Sequence, residues 1–202
     1  MNAHDREIEG IPVDFGFAEA IVPPGTHVCQ IYDDSDERTD AFVRFILKGL
    51  ELNEMTAGFT DHITASDVES YLPGALPSES VRIARTSDTY FVDNRFDPDR
   101  MLRLLREFHH DAETAACPGC RVIGEMTPEI QDRDGADRLL EYEARVNILL
   151  RDHPMTVMCQ YNAHEFSGST LMDVLKAHAL IVVRGTIVHN PYYVTPESIL
   201  GE

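Results

Sequence analysis

The chain has 202 residues, of which 43% are hydrophobic, 8% aromatic and 26% charged; this is the composition of one globular domain and excludes a disordered or fibrous chain. With 35 acidic against 17 basic side chains and a formal charge of -18, an exposed basic groove for phosphate backbones is excluded too, and with it direct binding of DNA or RNA. The longest apolar runs fall well below the roughly 20 residues that span a bilayer, so no membrane partner is expected.

Taken in chain order, residues 1–20 form an N-terminal segment ending near Pro23-Pro24-Gly25, and 21–202 form a single domain without internal repeats. His27–Tyr32 (HVCQIY) predicts a buried strand, and Asp34–Glu37 a capping box that opens a helix with Phe42, Phe45, Ile46 and Leu50 on one face. Met55–Thr60 predicts a second strand. Ser66 and Glu69 cap a short helix stopped by Pro73-Gly74, and Val81–Ala84 reads as a third strand. Asp97-Pro98 is an N-cap followed by proline at the first helical position, and the helix it opens frays at His109-His110 before the Cys117 loop. Arg121–Met126 and Met155–Tyr161 predict two further strands around a long helix, Asp137–Leu150. Ser167-Gly168-Ser169 leads into a helix over Leu171–Leu175. Leu180–Val183 and Thr186–His189 then pair as a hairpin about Arg184-Gly185. Strands alternating with helices require right-handed crossovers, so the expected class is α/β: a three-layer sandwich with a mostly parallel central sheet and a C-terminal β-hairpin.

Ligands of open α/β sheets bind beyond the carboxyl ends of the strands, which here carry Gln30, Tyr32, Asp33, Glu125, Cys159, Gln160, Tyr161, His189 and Asn190. Read blandly, the aspartates cap a helix and the cysteines fill the core. After the first strand of this sheet a nucleotide-binding protein needs glycines and a lysine. This chain instead has five acidic residues between Asp33 and Asp40, and neither GxxxxGK[ST] nor GxGxxG occurs in it. No ATP is expected as a cofactor.

The string Gly25–Asp34 (GTHVCQIYDD), then Gly124-Glu125-Met126, Leu140–Asn147 (LEYEARVN), Cys159-Gln160-Tyr161, His178 and Asn190-Pro191-Tyr192-Tyr193 resembles the MEDS domain, in the same order from about Pro24 to Ile199. The resemblance implies a RecA/KaiC-like core that has lost its phosphate loop and become a sensor of small hydrocarbon derivatives. Asp33–Arg38 would then replace the phosphate loop, and Glu125 would stand near the place of an ATPase's catalytic carboxylate. The family residues that carry over are His27, Cys29, Gln30, Tyr32, Glu125, Glu143, Asn147, Cys159, Gln160, Tyr161, His178 and Asn190, with Tyr192 as a further pocket wall. No DNA-binding or kinase segment follows Tyr193. The expected partners are therefore a small apolar or weakly polar organic ligand and a separate signalling protein, such as a histidine kinase or a regulator, with a homo-oligomer as an option. The same chain would also read as a piece of a longer protein.

Two alternatives stand beside the sensor. His27 and Cys29 are two apart on a strand and share a face, and Cys159 with His178 or His189 would complete a transition-metal set of imidazole and thiolate ligands. That points to a metal-dependent or redox enzyme built on His27, Cys29 and Cys159. The other alternative is an interaction scaffold with a vestigial pocket. Glu143 and Asn147 share a helix face and would pair Glu143 with Glu125 if that face met the strand end. Cys117-Pro-Gly-Cys120 is a single CxxC, a weak metal or redox signal, and free thiols are expected throughout. The N-terminus MNAHDREIEG lacks the basic and apolar regions of an export signal, so the expected location is the cytoplasm.

Overall fold

Parallel strands covered on both faces are continuous apolar runs, and such runs build the centre of this molecule. The computed structural model describes residues 10–74, 76–77, 79–126 and 128–201. A hairpin of β1 (Ile11–Asp14) and β2 (Glu19–Val22) precedes β3 (His27–Tyr32), α1 (Ser35–Glu51), β4 (Met55–Phe59), α2 (Ala65–Glu69) and β5 (Val81–Ala84). A short helix α3 (Thr86–Thr89) and a two-residue hairpin, β6 (Phe91–Val92) and β7 (Arg95–Phe96), lead to α4 (Pro98–Thr114) and β8 (Cys120–Glu125). The chain ends with α5 (Leu139–Asp152), β9 (Thr156–Asn162), α6 (Gly168–Ala177), β10 (Leu180–Val183), β11 (Thr186–His189) and α7 (Pro196–Leu200).

The central sheet has seven strands in the order β11-β10-β3-β9-β8-β4-β5. Every neighbouring pair is parallel except the β10–β11 hairpin. Side chains alternate across the strands. Val28, Met158 and Ile123 face α1, α2 and the N-terminal hairpin, whereas Cys29, Val157 and Cys159 face α4, α5 and α6. The class expected from the pattern, a mostly parallel sheet between helical layers with a terminal hairpin, is the class observed. No helix among the described residues is long and apolar enough to cross a membrane.

Helix α1 packs so closely on the sheet that Gly58 has no room for a side chain. A Cβ there would lie 2.4 Å from Phe42 Cζ, and Phe42 is fully buried. Gly58→Ala is expected to cost about 1 to 3 kcal/mol by overpacking, read as a lower urea midpoint at unchanged slope.

Several local expectations are corrected. Asp34 caps α1 by accepting from the Asp36 amide, but Glu37 does not return the bond; its carboxylate accepts from Gln30 instead. The capping box lies at α2 and is formed by Thr64 and Asp67, not by Ser66 and Glu69. Helix α4 runs through His109-His110 to Thr114. His109 is buried edge-on against His153. A 3-10 turn over Ala136–Arg138 precedes α5, which therefore starts at Leu139. The 1–20 segment contains most of the β1–β2 hairpin, whose Phe15 is fully buried. Arg121 holds that hairpin down. It is 1% exposed, its Nε–H donates to the Glu54 carboxylate, and its Nη1–H donates to the Asp14 carbonyl at 3.0 Å.

Candidate functional site

The polar residues anticipated along one pocket divide into two clusters on opposite faces of the sheet. The first is centred on Glu125, the last residue of β8, where the strand's carboxyl end brings it up beside α1. Its Oε1 accepts from Tyr32 Oη at 2.8 Å and Arg38 Nη1 at 2.9 Å; its Oε2 accepts from Thr60 Oγ1 at 2.6 Å and meets His62 Nδ1 at 3.0 Å. Burial acts to raise this carboxyl's pKa, but the bonds from Thr60, Tyr32 and His62 and the charge of Arg38 outweigh it and hold it below the ordinary value. Gln160 donates to Gln30 at 2.7 Å and to the Arg38 carbonyl at 3.0 Å, tying α1 to the sheet. Beside this cluster, a cavity of about 540 Å³ is lined by Asp61, His62, Arg85, Thr86, Glu125 and Arg133.

Arg38, Thr60 and His62 are not among the site candidates that the sequence yields. Thr60 and His62 follow the end of β4, where the strand-end rule would have found them. The stretch Asp33–Arg38 is not a loop: α1 begins at Ser35, and Arg38 turns inward from its first turns to Glu125. Asp33 is exposed.

The second cluster lies on the other face, beneath α5 and α6. His27 opens β3, Cys159 is in the middle of β9, Glu143 is on the inner face of α5, and His178 caps the end of α6. All four are buried. His27 Nε2 is 3.0 Å from His178 Nε2, 3.3 Å from Cys159 Sγ and 3.3 Å from Glu143 Oε2. Glu143 Oε2 is also 3.6 Å from His178 Nε2 and 3.8 Å from Cys159 Sγ. The four donor atoms all lie within 4.8 Å of one another.

The surrounding residues fix this arrangement. His178 Nδ1–H donates to the Val174 carbonyl at 2.8 Å, which leaves the Nε2 lone pair turned to the cluster. Tyr161 donates to Glu143 Oε1. Asn147 donates to the Ala177 carbonyl at 2.8 Å, and Asn190 donates to the carbonyls of Leu175 and His178 at 2.6 and 2.7 Å, so both amides hold the chain that carries His178. Burial lowers His178 to about 4, while burial and the neighbouring His178 hold His27 well below its usual value. Burial raises Glu143 to about 7, against the bonds from Tyr161 and Cys159. Burial, and after it the charge of Glu143, pushes both Cys159 and Cys29 up, so neither thiol ionises by itself near neutral pH.

This placement revises the sequence-based set in three respects. Cys29 is buried beside Cys159 in the β3–β9 register but is not one of the four convergent groups; Glu143 takes the place expected for it. Glu143 and Glu125 do not pair, since each has its own separate partners. Tyr192 is 59% exposed and belongs to neither cluster; His189 is exposed on β11. All four cysteines are free. Cys120 begins β8, where burial and Glu54 push its thiol up to about 12, so the CxxC pair lacks an activated thiol at this position.

A cavity of about 390 Å³ opens between the turns before α5 and the start of α6. Ile130, Leu139, Leu140 and Val174 form its apolar side, Thr170 and Asp173 line it from α6, and Gln131, Asp137 and the buried Glu143 complete its polar side.

No curated protein matches the chain in sequence. The KaiC-like protein PH0186 from the hyperthermophilic archaeon Pyrococcus horikoshii OT3 superposes with a TM-score of 0.52 at 17% identity, over 79% of this chain and 70% of that one. The flagellar accessory protein FlaH from Methanocaldococcus jannaschii gives 0.49 at 10% identity, over 82% and 76%. The first likeness shows a KaiC-like fold. The model of the methanogen/methylotroph, DcmR sensory domain matches residues 26–179, a span that contains both clusters. The chain belongs to this family, MEDS.

Proposed function

We propose that this chain is a sensory domain that admits a small, largely apolar organic molecule to the cavity above Glu143 and reports it through the packing of α5 against α6. The observation that carries this reading is a cavity with an apolar side of Ile130, Leu139, Leu140 and Val174 and a polar side on which the carboxylate of Glu143 is the buried one. An apolar body fits the walls and one polar end reaches the carboxylate, which is how small-molecule sites combine burial with orientation. A molecule held there touches both helices and favours one arrangement of the pair, and a separate signalling protein, such as a histidine kinase or a regulator, would read the change. Family membership supports the sensory role; the ligand class rests on the cavity.

Thermal unfolding with butanol, butylamine and chlorobutane tests this. A ligand present at a hundredfold excess over its Kd stabilises the folded state by about 2.7 kcal/mol, a clear rise in Tm. Leu140→Trp, which fills the cavity from its half-buried rim, is expected to abolish that rise while leaving the protein folded. An equal rise in wild type and Leu140→Trp would move binding away from this cavity.

A further inference from the structure

The geometry points to a binding site for one divalent transition-metal ion, Zn²⁺ being the best match, held by His27 Nε2, His178 Nε2, Cys159 Sγ and Glu143 Oε2. Bonds to zinc of about 2.0–2.1 Å from nitrogen, 2.0–2.2 Å from oxygen and 2.3 Å from sulfur define a tetrahedron with edges of about 3.3–3.7 Å. Five edges of the cluster run from 3.0 to 3.8 Å. Donors from β3, β9, α5 and the end of α6 thus converge at the mutual spacing of a four-coordinate site.

Hydrogen bonding alone serves this convergence poorly. His178 Nε2 is an acceptor, Glu143 Oε2 accepts only a long bond from the Cys159 thiol at 3.8 Å, and His27 Nε2 has one proton to share among three neighbours within 3.3 Å. His27 Nδ1 is buried and makes no hydrogen bond among the described residues, although Asn147 stands close enough to favour a proton on that ring. A metal ion takes up the acceptor groups that hydrogen bonding leaves over. The Cys159 thiol releases its proton to solvent and binds as thiolate, Glu143 binds as carboxylate, and the His27 proton moves from Nε2 to Nδ1, freeing Nε2 for the metal.

The outer groups are those a metal site requires. Metal-bound histidine commonly donates its other N–H to a carbonyl, as His178 does to Val174, and a ligating carboxylate is itself hydrogen-bonded, as Glu143 is by Tyr161. The mixture of imidazole, thiolate and carboxylate suits zinc and its tetrahedral surrogate Co²⁺ better than Mg²⁺ or Ca²⁺, which take oxygen ligands. A role for the ion in sensing rests on the function proposed above: an alcohol, or an alkylammonium that passes its proton to the Glu143 carboxylate, meets the ion on the Glu143 side and displaces that carboxyl group, which loosens α5.

The test uses the full chain, stripped with a chelator and titrated with Co²⁺. The expected result is one Co²⁺ per chain, with the intense visible bands of a tetrahedral ion and a near-ultraviolet thiolate-to-cobalt band. Cys159→Ser is expected to lose the thiolate band, Cys29→Ser to keep it, and His178→Ala to weaken Co²⁺ binding by at least about 100-fold, more than loss of an outer-shell partner costs. Folded wild type that takes up no Co²⁺, or loss of the thiolate band in Cys29→Ser rather than Cys159→Ser, overturns the site. Addition of butylamine separates the two proposals. A shift of the visible bands supports anchoring at the ion; stoichiometric Co²⁺ with no response to butylamine sustains the metal site and overturns the anchoring role.

Discussion

Glu125→Gln is expected to destabilise the protein by about 3 to 5 kcal/mol, the range for removing one partner of a buried ion pair. Arg38 and Glu125 have side chains only 9% and 5% exposed, so water cannot replace the lost charge. The glutamine also brings an NH₂ group into a ring of donors. On one side are the Arg38 guanidinium and Tyr32 hydroxyl, on the other Thr60 and His62. Arg38→Met is expected to cost a similar amount, by leaving the carboxylate without its countercharge. The double variant should lose clearly less than the sum, because no buried charge then remains unpaired. Urea unfolding of the four proteins decides this, and strictly additive losses would refute the pairing.

The same carboxylate gives a pH signature. Its folded pKa is held below the ordinary 4.5 of the unfolded chain. Its contribution is therefore fully present above that unfolded value and is lost as pH falls through the folded one. The stability gap between wild type and Glu125→Gln should be constant near neutral pH and narrow progressively below pH 4.5.

Arg121→Met is expected to have a comparable effect, about 3 to 5 kcal/mol, with a local pattern. Methionine keeps the stem packed but strands the Glu54 carboxylate and removes the donor to the Asp14 and Phe45 carbonyls. It also removes the guanidinium from the Phe45 ring, 4.9 Å away. Lys48 still pairs with Asp14 at 3.1 Å, and Phe15 remains buried, so the hairpin stays attached but less firmly. Hydrogen exchange should accelerate over residues 11–22 and across the adjoining end of α1, while β3 and β9 remain protected. Uniform acceleration over the whole sheet would mean that Arg121 supports the core rather than the hairpin.

Much of the architecture is legible in the sequence because its signals are local. HVCQIY and MTVMCQY are apolar runs of strand length, and Asp97-Pro98 and Ser167 mark helix starts by their own chemistry. The β1–β2 and β6–β7 hairpins are not legible in this way, because IPVD and EAIV are largely exposed short strands and β6 and β7 have only two residues each. The second of them has a local signal in its turn: Asp93 and Asn94 both adopt positive φ between β6 and β7, a turn those residue types favour.

Period-two alternation correctly puts His27 and Cys29 on one face, and the family resemblance marks Glu143, Cys159 and His178. Neither determines which atoms converge. The parallel register that sets Cys29 beside Cys159 leaves His27 as the side chain that reaches the Cys159 thiol. The packing of α5 over that strand brings in Glu143, and Asn147 and Asn190 hold the chain that carries His178. Likewise the acidic run after Tyr32 speaks against a phosphate loop, but only the inward turn of Arg38 reveals what occupies the end of β8 instead. By itself the sequence determined the order of the strands and main helices of the central sheet, its layers and the family, because short-range patterning and motif order encode them. The tertiary structure alone decided the division of the polar residues into two clusters and the exchange of Cys29 for Glu143, because both depend on strand register and helix placement between residues about 60 to 150 positions apart.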